Sequence, residues 1–157
     1  MDAIDSKALA VLMRDGRTSW ADLGSELDLS PPAAADRVHK MEEAGIILGF
    51  TALVDPEAAG YPLAAFVAVT LASNAVREQF LSGIEQVPEV LECHHVTGDD
   101  DYLLKVRVKG TVDLDRLLNE ELKNKLGVGR SRTTIVLRTS KETTKLPIAG
   151  DRPKKRK

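Results

Sequence analysis

Apolar residues recur at helical spacing through the first thirty positions, which predicts two short amphipathic helices. The apolar positions of the first helix, which ends near Gly16, are Ile4, Ala8, Val11 and Leu12. Those of the second helix are Trp20, Leu23 and Leu27. Ser19 followed by Asp22 is typical of a helix N-cap with an acidic first turn, so we expect the second helix to begin there.

A third helix is predicted between two end signals, Ser30 and Gly45. The Ser30 hydroxyl can cap the first turn, Pro31 fits that turn because its missing N–H costs nothing there, and Gly45 can close the helix in the left-handed conformation. We expect one face to be buried through Ala35, Val38 and Met41. The opposite face carries Ala33, Asp36, Arg37 and Lys40.

The last two helices are joined only by Asp28-Leu29, so the three helices together describe a helix-turn-helix. A capped helix with a thin apolar stripe and a small, partly basic outer face is suited to the major groove of DNA. The pattern alone leaves a three-helix bundle without any ligand equally open.

The second half of the chain changes to a β-rich pattern in which strands alternate with helices. Predicted strands cover 62–71, 90–97, 102–108 and 132–137, and predicted helices cover 74–86 and about 111–127. The order βαββαβ predicts an α+β, ferredoxin-like domain with both helices on one face of an antiparallel sheet. Because the strands are apolar on both sides, we expect a second copy of the chain to cover the other face.

Residues 46–56 connect the two halves and are too apolar for a flexible linker. We expect a strand near 49–54, stopped by Asp55-Pro56, that pairs with its equivalent in another subunit. The predicted organisation is a helix-turn-helix domain at 1–48, a strand-containing linker at 49–62, a ferredoxin-like effector-binding and oligomerisation domain at 63–147, and a basic disordered tail at 148–157.

Composition is that of an ordinary globular protein, with 43% apolar and 29% charged residues in 157. No apolar run approaches the roughly 20 residues that span a bilayer, and the acidic N-terminus is unlike a signal peptide. The single Cys93 cannot form an internal disulfide, which fits a reducing compartment. We therefore expect a cytoplasmic protein without a membrane partner.

Charge is the awkward property of this candidate DNA-binding protein. Five basic and nine acidic side chains leave residues 1–50 with a net charge of −4, although phosphate neutralisation supplies most non-specific affinity for DNA. Several copies in an oligomer would compensate through avidity. The tail at 150–157, with five basic residues and one acidic residue, would supply further phosphate contacts.

A series of motifs in order along nearly the full chain resembles the Lrp/AsnC (feast/famine) family of transcription regulators. The motifs are Asp15-Gly16-Arg17, Leu29-Ser30-Pro31, Arg37-Val38, Glu43-Ala44-Gly45-Ile46-Ile47, Gly49-Phe50-Thr51-Ala52, Asp55-Pro56, Gly60-Tyr61, Val96-Thr97-Gly98-Asp99, Asp101-Tyr102-Leu103-Leu104-Lys105, Gly127-Val128, Arg132-Thr133 and Lys141-Glu142-Thr143. Each motif is weak by itself, but their order and spacing are specific.

The resemblance implies a winged-helix-type DNA-binding domain and a ferredoxin-like domain that dimerises through its sheet and often assembles into octamers. It also implies an amino-acid effector bound between subunits near the hairpin turn of the second domain. The family's pocket positions map onto His95, Val96, Thr97, Gly98, Asp99, Asp101, Thr134, Ile135 and Val136.

The chemistry of that turn suits an amino acid, because Asp101 can accept from an ammonium and backbone N–H groups near Gly98 can donate to a carboxylate. A solvated Gly/Asp hairpin turn is the alternative that the residues alone favour. Two departures from the family pattern, Asp100 and His95, make the pocket mouth acidic and polar. Uncancelled carboxylates would then select a polar or cationic effector over a leucine-like one.

Metal binding and catalysis find little support in the sequence. His94 and His95 point to opposite faces of a strand, so they cannot share one ion within a chain, and no phosphate-binding glycine loop or nucleophile constellation stands out. We expect no catalytic residue, no metal site and no cofactor other than an amino-acid effector.

The sequence thus predicts an oligomeric, sequence-specific transcriptional regulator, with double-stranded DNA, further copies of itself and an amino acid as partners. The candidate DNA-contacting residues are Arg17, Ser30, Pro32, Ala33, Asp36, Arg37 and Lys40. Arg37 is the first candidate for a base or phosphate contact, and Arg17 for anchoring the DNA backbone. The alternative is an oligomeric amino-acid-binding protein whose helix-turn-helix reads DNA weakly or not at all.

Overall fold

The computed structural model describes residues 1–148, which contain five α-helices and four strands. The helices are α1 (Ala3–Arg14), α2 (Trp20–Leu27), α3 (Pro31–Glu43), α4 (Arg77–Ile84) and α5 (Thr111–Arg116). The strands are β1 (Leu63–Leu71), β2 (Val90–His95), β3 (Tyr102–Val108) and β4 (Val128–Ile135). Within residues 1–148, no helix has the length and apolarity needed to cross a bilayer.

The first compact unit, here called the helical unit, comprises residues 1–53 and 141–148. Its core is small and is supplied by all three helices: Ala8, Leu9, Val11, Leu12, Leu23, Leu27, Ala34, Val38 and Met41. Ile148 packs against this core, so this residue, which the sequence assigned to the tail, and the preceding residues from 141 lie in the helical unit. The rest of the predicted tail lies outside the described residues.

The second compact unit, here called the sheet unit, comprises residues 54–140. Its four antiparallel strands lie in the order β2-β3-β1-β4, with Val67 of β1 paired to Leu104 of β3 on one side and to Thr133 of β4 on the other. This is the βαββαβ ferredoxin-like arrangement, and the predicted fold class is confirmed. The fourth strand begins at Val128, earlier than the predicted 132.

The two faces of the sheet differ sharply in burial. Tyr102, Leu104, Val106 and Val108 alternate with less buried residues along β3 and form the core together with Phe80 of α4 and Leu117. The opposite face, here called the open face, carries the intervening positions, and Phe66 of β1 is 40% exposed there. The sheet is therefore covered by its own helices on one side only.

The helical segment between β3 and β4 changes from an α-helix to a π-helix along its length. After α5 the chain continues as a π-helix over Leu117–Lys125, and the Leu126 N–H donates to the Glu121 carbonyl at 3.0 Å. Gly127 then takes a left-handed conformation at φ 69°, which turns the chain into β4. The wide turns bring both Leu117 and Leu122 fully into the core.

The strand predicted near 49–54 is absent from the described chain. Leu48 is 96% exposed and Leu53 is 86% exposed, and no strand of the same chain is hydrogen-bonded to this segment. A strand requires a hydrogen-bonding neighbour, and the predicted neighbour belongs to another subunit. The helix-turn-helix is therefore followed by an irregular apolar segment within the chain itself.

Candidate functional site

The turn between α2 and α3 is built from local signals that the sequence displays. Ser19 caps α2 by accepting from the Asp22 N–H, and Ser30 caps α3 by accepting from the Ala33 N–H. Asp28 lies in the left-handed region at φ 56°. A Cβ on Gly24 would come within 2.7 Å of the Leu29 carbonyl oxygen, so only glycine permits this close approach of α2 to the turn.

The buried stripe of α3 is shifted by one residue from the predicted one. Ala34, Val38 and Met41 are buried, whereas Ala35 is only partly buried, so the prediction of Ala35 as a core position is wrong. Both alanines fit a helical pattern, and the direction from which α2 packs decides between them. The exposed positions of α3 include Pro32, Ala33, Asp36 and Lys40, as predicted for a surface that faces a ligand.

The two cations of α3 are both engaged in ion pairs inside the helical unit. Arg37 Nη1 donates to Asp2 Oδ2 at 2.8 Å and to Asp5 Oδ1 at 2.6 Å, and these bonds raise the pKa of Arg37. Lys40 Nζ lies 2.7 Å from Asp36 Oδ2 and lowers the pKa of that carboxyl. The geometry thus gives Arg37, the first candidate for a DNA contact, two partners within the chain.

Two other residues of the helical unit bear on the predicted DNA contacts. Arg17 is exposed, and its guanidinium has no ion pair with any described residue, which suits the predicted phosphate contact. The His39 ring meets the edge of Trp20 at a centroid distance of 5.8 Å. His39 was not among the candidates, although its spacing of three from Asp36 places it on the same exposed side of α3.

The hairpin turn of the sheet unit is held by the residues predicted to bind an effector. Gly98 has a φ of 120°, which favours glycine, and the Val96 N–H donates to the Asp101 carbonyl at 3.1 Å. The Asp101 N–H donates to the Val69 carbonyl, and Asp101 Oδ2 accepts from the Leu71 N–H at 2.8 Å. The Asp101 carboxylate therefore already ties the turn to the end of β1.

Asp100 is matched by two cations that the sequence analysis missed. Its Oδ2 lies 2.8 Å from Arg132 Nη2 and its Oδ1 lies 3.3 Å from Arg130 Nη2, while its side chain is only 12% exposed. Arg130 and Arg132 alternate along β4 and so share a face of the sheet, a period-two signal that the sequence does contain. The premise of uncancelled carboxylates at the pocket mouth is therefore wrong for Asp100, whereas Asp101 forms no ion pair with a described residue.

The predicted effector residues do not form one pocket within a single chain. Asp101 contacts β1 at Val69 and Leu71, but Thr134 pairs with Phe66 and the Val136 N–H donates to the Ala64 carbonyl. At about 3.4 Å per residue, these positions lie roughly 10 to 20 Å from the turn along β1. The turn residues Thr97 and Asp99 are exposed, as is Ile135.

The histidines on β2 lie on opposite faces, as the period of a strand requires. His94 pairs with Leu103 on the open face and bonds Glu92 at 3.1 Å, whereas His95 stacks on Tyr102 at a centroid distance of 5.1 Å. Glu92 also accepts from Lys105 at 3.0 Å, and the two bonds lower the pKa of Glu92. Among residues 1–148, no group of three or more His, Cys, Asp or Glu side chains is arranged to hold a metal ion.

Comparison with known proteins accounts for both units. The profile of the AsnC-type helix-turn-helix domain matches residues 1–42, and that of the Lrp/AsnC ligand binding domain matches residues 64–146. The chain belongs to the Lrp/AsnC family. It is a DNA-binding transcriptional regulator of that family, and its relatives are regulators rather than enzymes.

Curated relatives are similar over almost the whole chain. The leucine-responsive regulatory protein of Haemophilus influenzae is 40% identical over 150 residues, covering 94% of this chain and 90% of the relative. The protein of the same name from Escherichia coli K12 is 39% identical and covers 94% of this chain and 92% of the relative. The family resemblance inferred from scattered motifs is confirmed.

Solved structures share the whole fold. A transcriptional regulator of Neisseria meningitidis in complex with L-methionine has a TM-score of 0.90 at 33% identity, covering 95% of this chain and 97% of that one. An AsnC family regulator from Agrobacterium tumefaciens has a TM-score of 0.87 at 32% identity, covering 94% and 97%. The helix-turn-helix and the ferredoxin-like sheet are thus found together in one chain in these regulators.

Proposed function

We propose that this regulator reads DNA with α3 in the major groove and anchors the DNA backbone with Arg17. The observation that carries the proposal is a helix capped at both ends whose outer residues Pro32, Ala33 and Asp36 are exposed and mostly small. Ser30 places its N-terminus, the part of a recognition helix that contacts base edges, and Lys40 lies on the same exposed side.

We propose that a second copy of the chain covers the open face of the sheet. Phe66 of this face is 40% exposed, and burying such a residue in a symmetric contact removes apolar surface from water. Pairing also brings two helical units to one DNA molecule, which offsets the net charge of −4 in residues 1–50. Sedimentation would then show a homodimer or a larger, even-numbered assembly such as an octamer.

We propose that the effector is an α-amino acid with an uncharged side chain, bound between subunits at the 98–101 turn. The turn offers backbone N–H groups beside Gly98, and Asp100 is neutralised by Arg130 and Arg132, so Asp100 does not attract a cationic side chain. The residues 134–136 of another copy would complete the site, because those of the same chain are too distant. The Neisseria regulator in complex with L-methionine supports this class of ligand.

We further propose a cytoplasmic location, as chromosomal DNA requires, and phosphate contacts from the basic residues of the tail. Deleting residues 151–157 removes five cations and one acid. The deletion should weaken binding to any duplex and flatten its dependence on salt, since each phosphate contact contributes about 0.9 to the slope. Unchanged affinity and slope between about 50 and about 300 mM salt, a range that brackets the physiological ionic strength, would assign the tail no such role.

A direct test of DNA reading is fluorescence anisotropy with the region upstream of this protein's own gene. A scrambled duplex of the same length and composition serves as the matched control. The expected result is a preference for the upstream region of roughly a thousandfold or more at moderate salt. Equal affinity for both duplexes would favour an oligomeric amino-acid-binding protein that does not read sequence.

The effector proposal is tested by thermal shift with each of the twenty amino acids. A stabilisation by leucine or methionine, larger than any by lysine or arginine, is expected. The Gly98→Ala variant should lose the response because φ 120° is strained for alanine. A response to lysine or arginine alone would restore the cationic effector suggested by the sequence, and no response to any amino acid would rule out the class.

A further inference from the structure

Arg37 is anchored to the start of α1 by groups that are themselves fixed. Asp2 and Asp5 form a reciprocal capping box, in which the Asp5 N–H donates to Asp2 Oδ1 and the Asp2 N–H donates to Asp5 Oδ2, both at 2.8 Å. The remaining oxygen of each carboxylate accepts from Arg37 Nη1. All four carboxylate oxygens are thus engaged, so the arginine is bound to a rigid helix end. We call these three residues the Arg37 cluster.

The cluster connects two helices, α1 and α3, that pack little against each other. α3 packs far more extensively against α2 than against α1, and an open groove of about 490 Å³, lined in part by Met1, Met41 and Ile46, adjoins Arg37. With so few packing contacts to α1, apolar packing by itself defines the direction of α3 mainly on the side of α2. The bonds from Arg37 supply the second point of attachment, which a helix needs in order to have one defined direction.

We propose that Arg37 is a positioning residue that sets the direction of α3 from inside the helical unit, and that it does not contact DNA. This inference rests on the proposed role of α3 in reading DNA and adds the means by which α3 is aimed. Its two strongest bonds connect residues 32 and 35 positions apart. Moving the guanidinium to a phosphate would break both bonds and leave two carboxylates near the DNA.

The informative variant is Asp2→Asn with Asp5→Asn, which changes no residue of α3. Asparagine still caps a helix, so α1 keeps its first turn while Arg37 loses both ion pairs. The matched control is Glu42→Gln with Glu43→Gln, which removes the same charge from exposed side chains that form no ion pair within residues 1–148. A third variant, Arg37→Gln, removes the cation itself.

A pure charge effect and a positioning role of Arg37 predict different results for the double Asn variant. The first changes affinity for every duplex, and the second lowers the preference for the upstream region. Removal of two negative charges should strengthen binding to every duplex, as in the Gln control. If Arg37 positions α3, the preference for the upstream region over the scrambled duplex should instead fall roughly tenfold in the Asn variant, the size typical of coupled neighbours. Arg37→Gln should reduce the preference similarly, with the salt slope unchanged, and should add little to the Asn variant.

Two results would overturn the proposal. One is a preference in the Asn variant equal to that of the Gln control. The other is a salt slope lowered by about one in Arg37→Gln on both duplexes, the signature of a lost phosphate contact.

A measurement without DNA separates this inference from the proposed function. Spin labels at Lys7→Cys and Glu43→Cys, in a Cys93→Ser background diluted with unlabelled protein, report the distance between α1 and α3 within one chain. The distribution should broaden or shift with Asp2→Asn and Asp5→Asn but not with a Glu42→Gln control. An unchanged distribution refutes the positioning role even if the wild type shows no preference for its upstream region.

Discussion

The Arg37 cluster of the helical unit and the Asp100 cluster of the sheet unit (Asp100, Arg130 and Arg132) each join one charged side chain to two of the opposite charge, with the signs reversed between them. In the first, one guanidinium bonds two carboxylates; in the second, one carboxylate bonds the guanidinium groups of Arg130 and Arg132. Each central residue lies where the sequence predicted a ligand contact or a departure in a ligand pocket. In both places the chain itself supplies the partner.

The clusters differ in how far their charged groups remain exposed to solvent. The two acids of the Arg37 cluster have every oxygen engaged and the Arg37 side chain is only 30% exposed, so we call that cluster closed. Arg130 and Arg132 are 63% and 74% exposed, so most of each of these cations lies in solvent and we call that cluster open. A closed cluster fixes structure, whereas an open one can also meet a ligand or a second subunit.

The largest effect expected in either unit comes from the core that supports its cluster. Leu23→Ala and Leu104→Ala each empty a fully buried position and should cost about 3 kcal/mol of unfolding free energy. Because the helical core is smaller, we expect Leu23→Ala to abolish DNA binding at 37 °C while leaving the sheet unit folded. Urea denaturation followed by circular dichroism measures the unfolding free energy of both variants, and fluorescence anisotropy measures DNA binding. Leu48→Ala, at a position 96% exposed, should change little, and a loss comparable to that of Leu23→Ala would contradict the account of the core.

The next effect concerns Asp101, whose carboxylate accepts from the Leu71 N–H. Asp101→Ala leaves that partly buried donor without its partner and should cost about 1–3 kcal/mol. Asp101→Asn retains an oxygen that can accept, so its cost should be clearly smaller. Chemical denaturation of both variants gives the difference. If Asp101→Asn is as damaging as Asp101→Ala, the negative charge, and not the hydrogen bond, holds the turn.

Removing the centre of the open cluster should have a smaller effect on stability. Asp100→Asn weakens two ion pairs whose cations are exposed, and such pairs contribute about 0.2–1 kcal/mol. The same change frees both arginines, so binding of an amino acid should shift in selectivity toward acidic side chains such as glutamate. Thermal shift measures both quantities. A loss of more than roughly 2 kcal/mol would place Asp100 among closed, structural groups like Arg37.

The smallest effect is a dependence of the closed cluster on pH. The hydrogen bond from the Asp5 N–H and the bond from Arg37 lower the pKa of Asp2 below its ordinary value of 3.8. A lowered pKa in the folded state adds stability that is fully present above about pH 4 and is lost as the pH falls through the folded pKa. Unfolding midpoints between pH 6 and pH 2 should therefore fall more steeply for the wild type than for Asp2→Asn. Parallel curves would show that the bond has no stabilising role.

Local signals made the helix ends of this protein predictable. Ser19, Ser30 and Gly45 act within three or four residues of themselves, and the structure places each at the cap or turn that its chemistry favours. The order of strands and helices was equally predictable, because alternation with period two or near 3.6 is set by which side of each element faces the core.

Contacts between distant residues were not predictable in this way. The position of Arg37 beside an exposed helix face favours a DNA contact, and nothing within its own helix indicates acids 32 and 35 residues earlier. The acidic residues around Asp100 predict an acidic pocket mouth, and nothing in the turn itself indicates that Arg132, 32 residues later, bonds Asp100. Ala34 and Ala35 were confused because either alanine fits a helical stripe.

The sequence by itself determined the two-unit fold, the family and the turn chemistry, since these depend on local propensity and on the order of motifs. Only the tertiary structure decided which charges are available to a ligand. An ionised side chain is free or engaged according to what the fold brings within about 4 Å of it, and in this protein those neighbours come from other helices and strands. For this reason Arg37, a predicted DNA contact, and Asp100, at the predicted effector pocket, both form ion pairs within the chain.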